Sequence, residues 1–350
     1  MTMENNFKCP ADIKSMNMDE LTGLMKEWGL PAFRARQIYE WVHAKLVSNF
    51  DDMTDLPTGL REKLKDLAKL TVLKPLREQV SSIDGTKKYL FELEDGNSIE
   101  SVRMEYKHGC SVCISSQVGC AMGCSFCAST IDGLVRDLTP AEMLDQVYRI
   151  QSLNKKRVDN IVVMGAGEPL QNFDNLIRFL ELINDEKGLN ISMRNITVST
   201  CGLVPMMKKL ADLHLPITLA VSLHAPNDSI RKSMMPVAAS YTIEELIDEC
   251  GSYIDVTGRR ITFEYALIKG VNDSAENALE LADLLKGINC HVNIINVNPI
   301  KERNYAKTAQ ECLSGFTNLL EKNRINVTIR RELGQDIDGA CGQLRRRYLE

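Results

Sequence analysis

The chain has 350 residues, of which 44% are hydrophobic and 25% are charged, and 42 Lys and Arg stand against 47 Asp and Glu. This composition excludes a disordered or fibrous chain and provides apolar material for one large domain with a smaller appended one. The formal net charge of −5 argues against a protein that coats nucleic acid non-specifically, although it leaves room for local basic patches.

The first residues are Met-Thr-Met-Glu-Asn-Asn, which lack the basic region and apolar stretch of a secretory signal. No window is long and apolar enough for a membrane-spanning helix. Eleven cysteines, three of them within eight residues, do not form the framework of a small secreted domain. We therefore expect a soluble, cytoplasmic protein without a membrane partner. We also expect a monomer.

Residues 18–70 contain several short stretches that predict helices. Ser15 or Asp19 is a candidate N-cap for the first of them, and Pro31 and Pro57 interrupt the series. We predict a helical accessory domain, or lobe, over residues 1–75.

Residues 76–105 change to a β pattern. Two β-like runs between Lys87 and Glu105 flank Glu94-Asp95-Gly96-Asn97, and Asp-Gly between such runs is a strong signal for a hairpin turn. We predict a β-hairpin extension that links the helical lobe to the rest of the chain.

Residues 106–350 alternate between short β-rich runs and amphipathic helical stretches, which is typical of βα units around a parallel sheet. The predicted strands are 112–115, 160–164, 195–199, 217–222, 261–267 and 292–297. The predicted helices are 140–152, 172–184, 204–213, 243–256, 275–286 and 309–323. Six units are too few for a closed eight-unit barrel, so the sequence predicts an α/β fold with an open, partial (β/α)6 barrel. Reactive groups are then expected at the carboxyl ends of the strands.

Three cysteines follow the first predicted barrel strand at close spacing, namely Cys120, Cys124 and Cys127. Thiolates at this spacing can reach three corners of a [4Fe-4S] cubane from one loop and leave one iron open. A structural zinc ion needs four ligands, so that alternative requires a further thiol such as Cys113 or Cys110. Burial of the three thiols as core residues is the remaining alternative, and the spacing favours the iron–sulfur cluster over both.

The CxxxCxxC spacing after a strand is the signature of the radical S-adenosylmethionine (SAM) superfamily, and the surroundings resemble one family within it. The similar segments are Leu30-Pro-Ala-Phe-Arg-Ala-Arg-Gln37, Cys113-Ile-Ser-Ser-Gln-Val-Gly-Cys120, Gly165-Ala-Gly-Glu-Pro169, Ser222-Leu-His-Ala-Pro226 and Asp338-Gly-Ala-Cys-Gly-Gln-Leu344. Over nearly the whole chain they resemble the RlmN/Cfr family of RNA adenine methyltransferases, and the RlmN branch more than the Cfr branch. The resemblance implies a radical SAM barrel, one [4Fe-4S] cluster per chain, and two SAM molecules per turnover.

The resemblance also implies which residues bind SAM. They are Gly167, Glu168, Ser199, Ser222, Leu223, His224 and Asn298. Several of them end or follow predicted strands, so they can face one cavity at the carboxyl edge of the sheet. Without the resemblance, Glu168 is a candidate solvated turn residue and His224 a satisfied polar residue.

Cys113 and Cys341 are, by themselves, candidate small core residues. In the family that the chain resembles they are the two working thiols. Cys341 receives a methyl group from one SAM, and a radical from the second SAM activates that methyl group for addition to the adenine ring. Cys113 then attacks the sulfur of Cys341 and leaves a transient disulfide, which an outside reductant must reopen.

Glu100 lies thirteen residues before Cys113, at the spacing of the proton acceptor in the same family. Strand alternation places it on the face of Val102 and Met104, and we expect this apolar neighbourhood to favour a carboxylate that acts as a base. The alternative is a surface Glu on an edge strand.

The resemblance implies 23S ribosomal RNA and tRNA as partners, with methylation of adenine carbon 2, and an electron donor such as a flavodoxin or ferredoxin. Candidate phosphate contacts are the basic runs 155–157, 259–260, 330–331 and 345–347, each of which is otherwise a solvated surface. Three alternatives stay open: methylation of carbon 8, a non-catalytic iron–sulfur or zinc RNA-binding protein, and a radical SAM enzyme for a small molecule or peptide.

Overall fold

The structure is a computed structural model that describes residues 10–298, 303–338 and 342–349. Its helices are α1 (Met18–Glu27), α2 (Phe33–His43), α3 (Thr58–Leu67), α4 (Pro140–Asn154), α5 (Phe173–Asn184), α6 (Val204–Ala211), α7 (Asp228–Met234), α8 (Ile243–Thr257), α9 (Ala275–Leu284), α10 (Gln310–Lys322) and α11 (Gln343–Leu349). Its strands are β1 (Ala11–Asp12), β2 (Ala68–Lys69), β3 (Lys74–Val80), β4 (Lys87–Glu92), β5 (Ser98–Tyr106), β6 (Gly109–Ile114), β7 (Gln117–Gly119), β8 (Leu134–Asp137), β9 (Asn160–Val163), β10 (Ile196–Thr200), β11 (Thr218–Ser222), β12 (Ile261–Leu267), β13 (Cys290–Asn296) and β14 (Val327–Ile329).

The helical lobe is confirmed as α1 to α3, but the N-cap of its first helix is neither of the two predicted residues. Asn17 caps α1, because its side chain accepts from the Glu20 amide while the Glu20 carboxylate accepts from the Asn17 amide. This reciprocal pair satisfies two amides that the first helical turn leaves without partners. Asp19 lies inside that turn, and the Ser15 hydroxyl instead accepts from the Ala141 amide at the start of α4.

Buried polar contacts fasten the lobe to α4 of the core. The Lys14 ammonium is fully buried and contacts both the Asp145 carboxylate and the Thr71 carbonyl. His43 Nδ1 lies 2.9 Å from the Tyr148 hydroxyl. A buried charge is tolerated only when it is paired, so these contacts fix where the lobe sits on α4.

One ten-stranded sheet forms the centre of the molecule, in the order β14-β13-β12-β11-β10-β9-β6-β5-β4-β3. The strands from β6 to β14 are parallel, and those from β3 to β6 are antiparallel. All six predicted barrel strands are confirmed, and β14 is a seventh that the sequence analysis missed because it has only three residues. Within the described residues the sheet ends at β14 and β3, which confirms an open barrel.

The predicted hairpin is β4 and β5, and Gly96 at its tip takes a positive φ of 80°. It is continuous with the barrel, because β5 pairs antiparallel with β6 and β3 extends the sheet beyond β4. This continuity places β5 residues directly beside the first barrel strand.

Alternation along the parallel strands separates two environments. Residues such as Val112, Ile161 and Val198 belong to the apolar core, and their neighbours in sequence point to the opposite face. Several of these neighbours, among them Ser111, Val162 and Thr197, line a cavity of about 410 Å³ inside the partial barrel together with residues from the loops. No helix in the described part of the chain has both the length and the apolarity needed to cross a membrane.

Candidate active site

The loop after β7 carries the three clustered cysteines, and its backbone is fixed on both sides. Gly119 takes a φ of 77°, and a Cβ there would lie 1.9 Å from the Gly133 carbonyl oxygen, so only glycine fits. The Thr130 hydroxyl lies 3.0 Å from the carbonyls of Cys124 and Cys127, one of which can accept its proton. The loop therefore presents its thiols from a rigid backbone.

Two of these thiols, Cys120 and Cys124, are buried, and Cys127 is partly exposed. Burial raises the pKa of Cys120 to about 11 and that of Cys124 to about 12, and the neighbouring thiols act in the same direction. A metal must therefore displace protons to bind here, as thiolate ligation generally requires. In the described ranges no three His, Cys, Asp or Glu side chains converge on a single ion. A cubane does not require such convergence, because each thiolate binds a different iron.

Apolar side chains surround the cysteine loop. Met234, Met235 and Val237 form one buried cluster with Cys124, and Phe126 packs against this cluster. The Ser125 amide donates to the Met234 carbonyl at 2.8 Å, which joins the loop to the end of α7. A shell with low water access suits an oxidation-sensitive cluster, so the residues present fit a [4Fe-4S] group on Cys120, Cys124 and Cys127.

Gly167 follows β9 and packs closely against the segment that leads into the cysteine loop. Its φ is 110°, and a Cβ there would lie 2.6 Å from Gln117 Cβ and 2.7 Å from Ser116 Oγ. The Ala166 carbonyl accepts from the amides of Ser116 and Gln117. A side chain at Gly167 is therefore sterically excluded, whereas Ala166 contributes through its backbone.

Glu168 is buried, so the alternative of a solvated turn residue is wrong. Its carboxylate accepts from the Cys201 amide at 2.7 Å and from the Leu170 amide at 3.0 Å. Burial raises the pKa of Glu168, and these backbone hydrogen bonds act in the opposite direction. Each oxygen of the Glu168 carboxylate can accept one more hydrogen bond, so the group is still able to bind a ligand. SAM binding by Glu168 stays a prediction.

His224 is also buried, with a φ of 56°. Its Nδ1 accepts from the Ala266 amide at 2.9 Å, and its carbonyl accepts from the Asn272 side chain at 2.7 Å. Burial lowers the pKa of His224 to about 3, and Arg231 contributes in the same direction. The imidazole is therefore neutral, and with Nδ1 as acceptor its proton lies on Nε2.

The remaining predicted SAM contacts differ in where they lie. Ser199 in β10 and Ser222 at the end of β11 are half-buried, and alternation puts both on the inner face of the barrel. The Leu223 side chain is part of the apolar core, so only its backbone is open to a ligand. Asn298 is exposed and follows β13. As SAM contacts, all four stay predictions.

Glu100 is buried in β5, but the expected apolar neighbourhood is wrong. The ammonium of Lys88 in β4 lies 3.1 Å from Glu100 Oε2. The same oxygen accepts from the Gly342 amide, and Oε1 accepts from the Arg345 amide, both at 2.6 Å. The carboxylate is therefore surrounded by positive charge and N–H donors, which offset the cost of burying it.

Cys113 is buried at the end of β6 and pairs across the sheet with Val102. Alternation puts it on the inner face with Ser111, which lines the large cavity. Since Glu100 lies two positions from Val102 on β5, Glu100 and Cys113 share one face. Cys341 lies outside the described residues. No disulfide links two of the described cysteines, and the pairing of Cys113 with Cys341 stays a prediction.

A small crevice brings several of these segments together. Its walls include Glu100, Gln117 before the cysteine loop, Ser129 after that loop, and Ala166. Gly342, the residue that follows Cys341 in the chain, also lines this crevice. The proton-acceptor candidate, the cysteine loop, the glycine-rich turn and the neighbour of Cys341 therefore meet at one place.

Sequence reasoning missed Lys88, the cation beside Glu100. A signal was present, because a hairpin centred on Asp95 and Gly96 pairs Lys88 with Val102, and this puts Lys88 on the face of Glu100. The Arg345 and Gly342 amides gave no such signal, since their contact with Glu100 spans more than two hundred residues.

Comparison with known proteins matches both parts of the chain. Residues 114–282 match the family model of the radical SAM superfamily, and residues 11–70 match that of the ribosomal RNA large subunit methyltransferase N-terminal domain. Relatives named "Probable dual-specificity RNA methyltransferase RlmN" are 63% identical over 97% of both chains in Lachnospira eligens and 55% identical over 99% of both chains in Desulforamulus reducens. A crystal structure of a radical SAM methyltransferase from Sphaerobacter thermophilus is 45% identical and superposes with a TM-score of 0.92, covering 95% of this chain and 99% of that one.

Proposed function

The chain belongs to the RlmN family of radical SAM RNA methyltransferases, and from this premise we propose that it methylates carbon 2 of adenosine. The proposed substrates are an adenosine in the peptidyl-transferase centre of 23S ribosomal RNA and the adenosine on the 3′ side of the anticodon in tRNAs. The relatives at 51% to 63% identity carry the words "dual-specificity" in their names, which supports two RNA substrates. The site geometry supports a two-thiol mechanism.

The observation that carries the mechanism is the position of the Glu100 carboxylate. It is held on the amide of Gly342, the residue next to Cys341, and it shares a sheet face with Cys113. A proton acceptor, a methyl-carrying thiol and a resolving thiol must all reach one adenine. Glu100 and the neighbour of Cys341 line one crevice, and Cys113 lies on the same sheet face as Glu100, which supports these three roles.

The proposed cofactors supply the radical chemistry. Cys120, Cys124 and Cys127 would hold a [4Fe-4S] cluster, and Gly167, Glu168, Ser199, Ser222, Leu223, His224 and Asn298 would bind SAM. The cluster would supply the electron for reductive cleavage of SAM. The buried Glu168 carboxylate and the neutral His224 offer an acceptor and an Nε2–H donor beside the cysteine loop. The rigid glycine-rich turn at Gly167 lets a ligand approach the backbone closely.

The chain's own residues perform the transfer in a fixed order. Cys341 receives the methyl group of one SAM and carries its carbon to the adenine ring. Glu100 accepts the proton that leaves the ring. Lys88 and two backbone amides hold the Glu100 carboxylate in place for this step. Cys113 then attacks the sulfur of Cys341, which frees the product and leaves a disulfide that an external reductant must reopen.

We further propose a cytoplasmic monomer that takes electrons from a flavodoxin- or ferredoxin-like donor. Ribosomal RNA and tRNA are present in the cytoplasm, where thiols stay reduced. This donor would reduce the cluster before each SAM cleavage. A second external reductant is needed to reopen the disulfide between Cys113 and Cys341.

Mass spectrometry of nucleosides tests the proposed function. Anaerobically reconstituted protein, SAM and a reductant are incubated with a 23S RNA fragment or a tRNA, and the RNA is digested. We expect 2-methyladenosine from wild type and none from Cys341→Ala. Formation of 8-methyladenosine would overturn the choice of carbon 2, and SAM cleavage without any methylated adenosine would overturn the RNA substrate.

A further inference from the structure

A cavity of about 410 Å³ lies in the interior of the partial barrel. Its lining includes Thr197 and Thr218 near the amino ends of their strands and Met164 just after the carboxyl end of β9. Ser111 lines it two positions before Cys113 on the same face of β6. The cavity is therefore continuous with the inner face on which Cys113 and Glu100 lie.

Three arginines line this cavity: Arg194 before β10, and Arg330 and Arg331 after β14. Arg194 and Arg331 are exposed, and Arg330 is half-buried. None of the ion pairs between described residues includes these three guanidinium groups. Their charges are therefore available to an external anion.

One acidic side chain, Glu264, faces the arginines from the cavity wall. It is buried and accepts from the Asn293 side chain at 2.9 Å. Burial raises the pKa of Glu264, and Arg330 acts in the opposite direction. Among the described residues, three arginines against one buried carboxylate give the cavity lining a net positive charge, although the chain as a whole is negative.

An aromatic pair lies on another part of the same wall. Tyr106 and His108, at the turn between β5 and β6, stack with ring centroids 5.0 Å apart and an interplanar angle of 13°. Both rings line the cavity, and His108 is exposed. A flat, accessible ring pair is a platform on which an unpaired base can stack.

We propose that this cavity binds the single-stranded RNA that flanks the target adenosine. Arg194, Arg330 and Arg331 contact the phosphates, and the Tyr106–His108 pair stacks on an unpaired base next to the target. The inference rests on the proposed function, since an adenine that reacts at carbon 2 must leave its stack. The cavity falls within the ~300–1,000 Å³ range of small-ligand sites, so it admits a nucleotide but excludes an A-form duplex.

The basic run 345–347 is a weaker candidate for this role. Arg347 lies 2.8 Å from the Asp338 carboxylate and Arg346 lies 3.8 Å from that of Asp132. The Arg345 amide holds Glu100. Two of these three charges therefore already form ion pairs, whereas the cavity arginines form no ion pair within 4.0 Å among the described residues.

Binding of a tRNA anticodon stem-loop at several salt concentrations tests the proposal. The Arg330→Ala/Arg331→Ala variant should bind about tenfold more weakly, and its salt slope should fall by about 0.7 for each lost phosphate contact. The matched control Lys286→Ala/Lys322→Ala removes two exposed charges from the outer helical layer and should bind like wild type. Arg330→Lys/Arg331→Lys keeps the charges and should keep the slope, which separates charge loss from a folding defect.

The aromatic pair is tested by Tyr106→Ala, which should weaken binding about tenfold with an unchanged salt slope, and by Tyr106→Phe, which should bind normally. SAM cleavage without RNA is measured for the Arg330/Arg331 and Tyr106 variants and should not change. The proposal is overturned if Arg330→Ala/Arg331→Ala binds within twofold of wild type, or if only Arg345→Ala/Arg347→Ala loses affinity. Absence of methyladenosine from the wild-type reaction would instead overturn the proposed function.

Discussion

Lys88→Met removes the cation from the buried pair with Glu100 and keeps an apolar side chain of similar length. The Lys88 side chain is fully inaccessible and that of Glu100 is 8% exposed, so solvent screens their interaction little. The variant leaves a buried carboxylate without its cation and the Asp338 carbonyl without its donor. Breaking a buried pair in this way costs ~3–5 kcal/mol of unfolding free energy.

Urea unfolding of the cluster-free protein, followed by circular dichroism, measures this cost. The matched control is Lys87→Met on the same strand, because Lys87 pairs with Glu78 at 2.9 Å but both side chains are at least 30% exposed. A surface pair contributes only ~0–1 kcal/mol. If the unfolding free energy depends on urea concentration with the same slope in all variants, the shifts of their urea midpoints can be compared directly.

A double-mutant cycle with Glu100→Gln isolates the interaction itself. Gln cannot form the ion pair, so the second substitution should cost less once Lys88 is already Met. We expect a coupling free energy of ~2 kcal/mol, within the ~0.5–3 kcal/mol of residues in direct contact. The reasoning is refuted if Lys88→Met costs no more than Lys87→Met, or if the two substitutions are additive.

Three further predictions concern separate parts of the molecule. Cys113→Ala should retain iron and SAM cleavage but accumulate a protein–RNA adduct through Cys341, visible on a denaturing gel. Gly167→Ala brings a Cβ 2.6 Å from a neighbouring side chain at a φ of 110°, so its unfolding free energy should fall by ~2–4 kcal/mol and its SAM affinity at least tenfold. Burial lowers the pKa of His43 from 6.5 to about 3, so stability is complete above pH 6.5 and decreases below it, by about 2 kcal/mol at pH 5.

Each of these predictions has a control and a contradicting result. Cys341→Ala should form no adduct, and normal turnover of Cys113→Ala would exclude a resolving thiol. Gly258→Ala has a φ of 66° and open space around its Cβ, so it should lose ~1–2 kcal/mol and keep its SAM affinity. Between pH 6.5 and pH 5, the unfolding free energy of His43→Gln should fall less than that of wild type. An identical pH profile would show that His43 does not cause the loss of stability.

Local patterns were enough for much of the fold. The ends of strands such as β12 and β9 were predicted to within a residue, because a short apolar run in the sequence marks a buried strand. The α1 cap shows the limit of this reasoning: Asn17 competes with Ser15 and Asp19, and all three side chains are suitable. Only the reciprocal hydrogen bonds with Glu20 select one.

The sequence by itself determined the parallel α/β architecture and the cysteine loop, and its motifs indicated the radical SAM family by resemblance. Ligand spacing within one loop and periodicity along one strand are fixed by covalent geometry over a few residues, so they can be read without a structure. Only the tertiary structure decided what surrounds Glu100, where Lys88 and the Gly342 amide converge, and which arginines face the barrel interior. These contacts join distant segments, and they form because buried charges and amides must find partners once the sheet and helices have packed.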